Sequence, residues 1–460
     1  MKKHPNPKLS TAKMSAGRTH RSAAPRSGLA DLAPRPSQYD SIARLIEHDA
    51  SRVQALLGLR YQRMLQSPGS FLRGAALLMA EDLARATSTG LIVQLCGDAH
   101  LSNFGVFLSP ERELVFDVND FDETSEGPFE WDVKRLATSL VIASHELGHD
   151  ERRQEAAASA AAREYRDAMA RFASQTRLEV WYSKLDVDRV VMDLRGFFSD
   201  AASRRIDDVM RHVKGAATSS SARAVLAYGP LGPRVVLDAP RFSAIESSPD
   251  AMSADDVVEV VTGYARTLSS DRQALLSQFD VREVVRHVVG VGSVGTECFA
   301  VLLTGRDDHD AFFLQVKEAT ASVIAQAQGS WSSIEPGESV VRGQKLMQAT
   351  SDPFLGWGAL NQGDRHRSFY VRQLFNDRAA VDVSRLDEAG LVAYGRLCAW
   401  TLARAHARFG RAEEIAGYLG TSKRFEESIA HFALAYRDRN QRDFAALRDA
   451  VERGRVTVAS

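Results

Sequence analysis

Two short stretches carry residue types that do chemistry. Asp98, His100 and Asn103 stand within residues 96–104, and Asp120, Asp122 and Glu123 within residues 118–123. Each stretch follows an apolar run that reads as a strand. Strand, loop, hairpin and loop bring two strand ends together, so Asp98, Asn103 and Asp120 are expected to converge. Two carboxylates and an amide oxygen are hard donors of the kind that suits Mg²⁺. A carboxylate not spent on a metal can orient a hydroxyl and accept its proton. Asn and Asp also cap turns, so any one of these residues alone says little, and only the ordered set points to a site. His100 reads as structural rather than catalytic. Asp122 and Glu123 are candidates for a further metal contact, direct or indirect.

A second set lies about 190 residues further on. Gly290-Val291-Gly292-Ser293-Val294-Gly295 is a G-x-G-x-x-G match. In a dinucleotide-binding fold such a loop opens a helix, whereas a plain tight hairpin needs nothing after it. Here residues 296–303 are β-like, residues 304–308 make a turn, and residues 312–317 form a third run ending in Lys317. Strand, Gly loop, strand, turn and Lys-bearing strand is the kinase order, in which a flap covers phosphates and the Lys pairs with them. Gly290, Gly292, Ser293, Gly295 and Lys317 are therefore nucleotide-binding candidates, with Lys317 a compact positive charge for the α- and β-phosphates. Such a Lys is held by a helix Glu. Glu335 and Glu338 follow at suitable distance, and Glu338, just ahead of the helical residues 340–349, is preferred.

The first set resembles the GDxHxxN…DFxD pattern of the aminoglycoside phosphotransferase and choline kinase branch of the protein-kinase-like superfamily. That resemblance implies ATP and Mg²⁺, with Asp98 as the catalytic-loop aspartate and Asn103 and Asp120 on the metal. Asp122 falls in the metal-binding segment. In Gly127-Pro128-Phe129-Glu130-Trp131-Asp132, Asp132 would be the helix-start aspartate that braces the catalytic loop. Cys96 stands where these families usually carry His, which puts the backbone contact of that His in doubt. The chain as a whole is similar to an uncharacterised bacterial family, domain of unknown function 2252, over about residues 40–445. The runs that carry this similarity are residues 67–75, 96–105, 116–137, 288–296 and 314–319. That family implies no activity.

The order of the two sets is reversed relative to ordinary kinases. If both serve one site, the chain is circularly permuted, which folds tolerate where the joined ends are exposed and near each other. The helix expected over residues 391–409 would be the one that normally leads into the catalytic loop. The fold class is α+β, a protein-kinase-like two-lobed fold. Its expected parts are a disordered basic tail (1–37), a helical lobe with the catalytic and metal loops (38–284), a strand-rich nucleotide-binding lobe (285–378), and C-terminal helices packed on the helical lobe (379–460). Residues 150–280 read as mostly helical.

The expected function is an ATP- and Mg²⁺-dependent phosphotransferase acting on a small-molecule hydroxyl acceptor, with adenylyl transfer left open. A catalytically inactive nucleotide-binding scaffold is the main alternative. A dinuclear metallophosphoesterase is a third, but it needs several His ligands after strands, and His145, His287 and His406 lie in helical or unpatterned stretches. Arg73 either touches phosphate or braces the acidic loop at 117–123, the brace being preferred. Trp181 and Tyr182 read as core.

Composition is consistent with these readings. The 58 Lys+Arg against 59 Asp+Glu give a net charge of −1, which excludes a nucleic-acid coat protein and an acidic disordered chain. Residues 1–35 hold eight Lys/Arg, one acid and no Phe, Trp or Tyr, the composition of a solvated tail. Three scattered cysteines suit neither a disulfide framework nor a cysteine zinc site, and point to a reducing cytoplasm. No run of 18 apolar residues suggests a membrane span. Oligomeric state leaves no mark on the sequence.

Overall fold

The computed structural model describes residues 7–186, 224–230, 232–245, 252–288, 290–330, 333–363, 365–374 and 379–459. The class is α+β, with antiparallel sheets and helices in separate layers. The N-terminal half begins with helices α1 (Pro7–Ala23), α2 (Ser41–Asp49), α3 (Leu57–Met64), α4 (Pro68–Gly74) and α5 (Ala76–Ala84). Strand β1 (Ile92–Leu95) leads into hairpin β2 (Phe104–Leu108) and β3 (Leu114–Val118), and β4 (Ser125–Pro128) returns to pair antiparallel with β1. Helices α6 (Glu130–Glu146), α7 (Glu151–Ala173) and α8 (Arg177–Tyr182) follow. Start signals are local: Asp40 caps α2 through the N–H groups of Ile42 and Ala43, and Ser67 caps α4 with Pro68 at its first position.

Strand β5 (Leu185–Asp186) edges the β2–β3 hairpin, and β6 (Leu226–Gly229) pairs with β7 (Gly232–Val235). A six-stranded antiparallel sheet is built from β8 (Phe242–Ser243), β9 (Asp280–His287), β10 (Cys298–Thr304), β11 (Ala311–Ala319), β12 (Gly356–Gln362) and β13 (Arg365–Leu374). Its order is β12-β13-β11-β10-β9-β8. Helices α9 (Ala254–Ala265) and α10 (Ser270–Leu276) precede β9, while α11 (Val323–Gln328) and α12 (Pro336–Met347) lie between β11 and β12. The chain closes with β14 (Ala379–Ala380), α13 (Glu388–His406), α14 (Ala412–Leu419) and α15 (Arg424–Glu452).

The largest core gathers around α6, which is buried on nearly every side by α4, α7, α13 and α15. Its charged residues Glu130, Asp132, Lys134 and Arg135 are buried along with its apolar ones. Val133, Leu136, Leu140 and Val141 supply its apolar contacts, and Ala158, Ala161 and Ala162 let α7 pack close by. The six-stranded sheet has its own core, where Val257, Val260 and Tyr264 of α9 meet Phe299, Val301, Leu314 and Val316.

The structure departs from the sequence reading at several points. The stretch 150–280, read as mostly helical, carries β5 to β8 as well as helices; residues 187–223 within it lie outside the described residues. Strand β8 pairs with β9 and α9 packs on the six-stranded sheet, so elements ahead of residue 285 join it. The basic N-terminal segment is ordered from Pro7 onward. Arg21 Nε donates to Tyr418 O at 2.8 Å and Arg26 Nη1 to Leu419 O at 2.5 Å, at the C-terminal end of α14. Cations at a helix C-terminus satisfy orphan carbonyls and oppose the helix dipole, so the segment needs acceptors rather than a large apolar face. Trp181 and Tyr182, expected in the core, are exposed, and the Arg408 guanidinium covers the Trp181 ring at 3.8 Å. No helix among the described residues is long and apolar enough to cross a membrane.

Candidate functional site

The first loop is pinned from below. Gly97 has φ +85°, and a Cβ there would stand 1.9 Å from Glu123 O, so only glycine fits the close approach to the second loop. Asp132, in the first turn of α6, accepts the backbone N–H groups of Cys96 at 2.8 Å and Gly97 at 3.1 Å. The fully buried His406 of α13 reaches the same carboxylate at 3.2 Å. The loop aspartate follows directly. Asp98 Oδ1 is held by Arg135, through Nη2 at 2.6 Å and Nε at 2.8 Å, while Oδ2 stands 3.4 Å from His100 Nε2. Burial pushes the Asp98 carboxyl up, but Arg135 and then His100 outweigh it and hold the group well below the usual carboxylate range.

Asn103 ties the two loops together. Its Nδ2 donates to Asp98 O at 3.0 Å and Asp120 O at 2.9 Å, and its Oδ1 accepts the Asp120 N–H at 2.7 Å. The amide expected on a metal is thus spent largely on backbone, with one lone pair of Oδ1 left.

The second loop meets the six-stranded sheet. Lys317 of β11 is buried and ion-paired with Asp122, whose other oxygen accepts the Tyr370 hydroxyl at 2.8 Å. Tyr370 stands directly opposite Lys317 in the β11–β13 register. Burial opposes charge on Lys317, yet the carboxylates of Asp120 and Asp122 raise its pKa well above the ordinary value. Asp120 also resists burial, and Lys317 and Arg372 lower it to about 2. Asp122 is pushed up by burial and by the neighbouring Asp120 charge. Glu338 is not brought to Lys317. It sits in the first turn of α12 and pairs with Arg342 one turn on, as i,i+4 partners do. Glu335 pairs with His366.

The Gly-rich loop is held by its carbonyls. Arg63 donates to Gly290 O at 2.6 Å, Arg60 to Val291 O at 3.0 Å and Gly292 O at 2.9 Å, and Arg52 to Val294 O at 3.0 Å. The Val53 N–H takes Gly295 O at 2.7 Å. Asp49 anchors both Arg52 and Arg60 at 2.8 Å. Gly290 and Gly295 adopt φ of +68° and +93°, which L side chains avoid.

One cavity of about 230 Å³ joins the two sets. Asp98, His100, Asn103, Asp120 and Asp122 line it from the first, and Gly290, Gly292 and Ser293 from the second. Arg73 and Arg372 complete its cationic wall. Gly295 faces a neighbouring cavity beside Arg52, Lys317 lies behind Asp122, and Asp132 lies beneath the loop. The acidic loop is braced by Arg372, which donates to Asn119 O at 3.1 Å, rather than by Arg73. Among the described residues no group of three or more His, Cys, Asp or Glu side chains could hold a metal ion. An ion shared with phosphates needs only one or two protein carboxylates, and Asp120 with the remaining Asn103 lone pair meets that smaller demand.

Arg135, Tyr370, Arg372 and the Asp49–Arg52–Arg60 cluster escaped the sequence reading. Arg135 had a signal, since it lies one turn from Asp132 on the same helix face. Tyr370 and Arg372 alternate onto one face of β13. Nothing local marked Arg52, between α2 and α3, or Arg60 of α3.

Residues 52–450 match the model of a family described as an uncharacterised protein conserved in bacteria, DUF2252. No curated protein and no solved structure matches the chain.

Proposed function

We propose that this chain, which belongs to the DUF2252 family, is an ATP- and Mg²⁺-dependent phosphotransferase of kinase-like, circularly permuted fold, acting on a small hydroxyl-bearing acceptor. The observation that carries this reading is the shared cavity: the Gly-rich loop and the Asp98–Asn103–Asp120 set, far apart in sequence, wall one space. The succession β9, Gly-rich loop, β10, β11 with Lys317 and then a helix is the order in which kinases cover and grip phosphates. Support for permutation comes from α13. It packs against β1, and its final residue His406 holds Asp132 beneath the catalytic loop. In an unpermuted chain that helix would run directly into β1.

The chemistry follows from the side chains. Phosphoryl transfer asks mainly for positioning and charge stabilisation. Backbone of residues 290–295 covers the phosphates, and Lys317 grips the α- and β-phosphates, exchanging part of its contact with Asp122. Asp120 and Asn103 would hold Mg²⁺, which supplies charge neutralisation between the phosphates. Arg135 occupies Asp98 Oδ1, so Oδ2 is the oxygen offered to the acceptor hydroxyl. The acceptor oxygen bonds to the γ-phosphorus as the bridge bond to the β-phosphate breaks, its electron pair leaving with ADP. The hydroxyl proton passes to Asp98 late in a loose transition state, where a weak base suffices. The phosphoesterase alternative finds little support, because His406 is spent on Asp132 and His287 is stacked on Phe242.

A thermal shift with ATP, with and without Mg²⁺, tests this on the wild type, Lys317→Met and Asp120→Asn. Ligand at about 100 times its dissociation constant stabilises by roughly 2.7 kcal/mol. A Mg²⁺-dependent rise in the wild type, absent in both variants, is expected. No rise in folded wild-type protein would sink the proposal, and a rise without phosphate transfer to any acceptor would favour the scaffold.

A further inference from the structure

Arg73 closes α4, and its backbone carbonyl lies against the Gly-rich loop: a Cβ on Gly292 would stand 3.2 Å from Arg73 O. Its side chain is unlike the other arginines around the cavity. Arg60 and Arg52 are paired with Asp49, Arg135 with Asp98, and Arg372 with Gln315 and Asn119 O. Arg73 has no hydrogen bond or ion pair among the described residues, and its Nε is buried without a partner. Burial lowers its pKa, opposed by the more distant charges of Asp98 and Asp120. The side chain is half-buried with its Nε sealed from solvent, a position in which a guanidinium is ordinarily paired.

Its place in the fold says what could pair it. Arg73 lines the cavity that holds Asp98, Asp120 and the Gly-rich loop, and it also lines a second cavity of about 290 Å³ between α4 and α6. His100 stands in the same dividing wall, buried, with its Nδ1 likewise without a partner. Two unsatisfied nitrogens thus meet where the nucleotide cavity adjoins a second space.

We propose that Arg73 is the catalytic arginine that receives the γ-phosphoryl group, supplied in cis from helix α4. This rests on the phosphotransferase reading. A guanidinium on the transferring group stabilises charge that develops on its equatorial oxygens. The ligand at Arg73 is then the terminal phosphate and not the diphosphate that remains.

Calorimetric titration of the full chain with Mg·ADP and with a non-hydrolysable Mg·ATP analogue separates these. Wild type, Arg73→Met and Arg73→Lys are compared. Arg73→Met is expected to weaken the triphosphate about tenfold or more, the scale of a lost charge-assisted hydrogen bond, with ADP affinity within about twofold. Arg73→Lys, which keeps the charge, is expected to fall between. The ligand-free melting temperature of Arg73→Met is expected not to drop, since no partner is lost. Equal losses for both nucleotides, no loss for either, or a collapse of the ligand-free melting temperature in both variants would overturn the inference alone. A wild type that binds neither nucleotide would overturn the phosphotransferase reading and this inference with it.

Discussion

At the scale of single residues, the pair Lys317–Asp122 sets the electrostatics of the site. Lys317 sits in the middle of a sheet, at 2% exposure, where an unpaired ammonium could not stay charged. Asp122 meets it from a loop almost two hundred residues upstream, and Tyr370 holds the other oxygen. Removing one member of such a pair strands its partner, at a cost of roughly 3–5 kcal/mol. Lys317→Met is therefore expected to lower the unfolding free energy read from a urea titration by that amount, and Lys317→Met with Asp122→Asn to recover a good part of it. Strictly additive losses in the double variant would show that the two charges do not depend on each other. The residue types at Asp98, Asn103, Asp120 and Lys317 were legible in the sequence because chemistry and spacing coincide there. Their partners were not. Glu338 matched a familiar spacing, but a helix starting at Pro336 points its first-turn carboxylate along its own axis to Arg342. Which carboxylate reaches a given lysine depends on how two distant segments fold together, and no spacing rule within one segment contains that.

At the scale of elements, the Gly-rich loop is a clamped turn. Four carbonyls of residues 290–294 are taken by Arg52, Arg60 and Arg63, and Asp49 holds two of these guanidiniums. In a trans peptide the N–H lies on the edge opposite the carbonyl, so clamping these carbonyls fixes the direction of the N–H groups as well. The two strands after this loop were readable as apolar runs at residues 296–303 and 312–317, and β10 and β11 lie there. The clamp was unreadable, because a lone arginine on a short helix looks like any solvated charge. Arg60 is fully buried against Asp49, so Arg60→Met is expected to cost about 3 kcal/mol. Amide exchange across residues 290–296 should quicken by about tenfold or more, as a loop loses the bonds that close it. Unchanged exchange in that window would show that the glycine backbone holds its own shape.

At the scale of the whole molecule, the near-zero net charge conceals an uneven distribution, since the basic N-terminal segment is balanced by an acidic remainder. Composition alone made that segment a solvated tail, because it lacks the aromatic residues that usually anchor a chain. Its actual attachment uses backbone instead. A Cβ on Gly17 would stand 1.9 Å from Glu414 O, and one on Gly417 would stand 2.2 Å from Met14 O, so α1 and α14 cross with main chain against main chain. Arg21 and Arg26 then fasten the end of α14. Two glycines and two arginines thus do what a hydrophobic face does elsewhere, and they do it at a helix that lies outside the matched family region. The attachment is separable from the site. Gly417→Leu has no room beneath Met14 and is expected to lift α1 while leaving the cavity intact. Trypsin reports this directly, since Lys13, Arg18 and Arg21 all lie on α1. Cleavage there should accelerate by about tenfold, equivalent to roughly 1.4 kcal/mol of lost docking when opening is fast relative to cutting, with the Mg·ATP-dependent thermal shift unchanged. Protection that survives Gly417→Leu would mean the arginine contacts alone hold the helix. A lost nucleotide response would mean that α1 supports the site through α14.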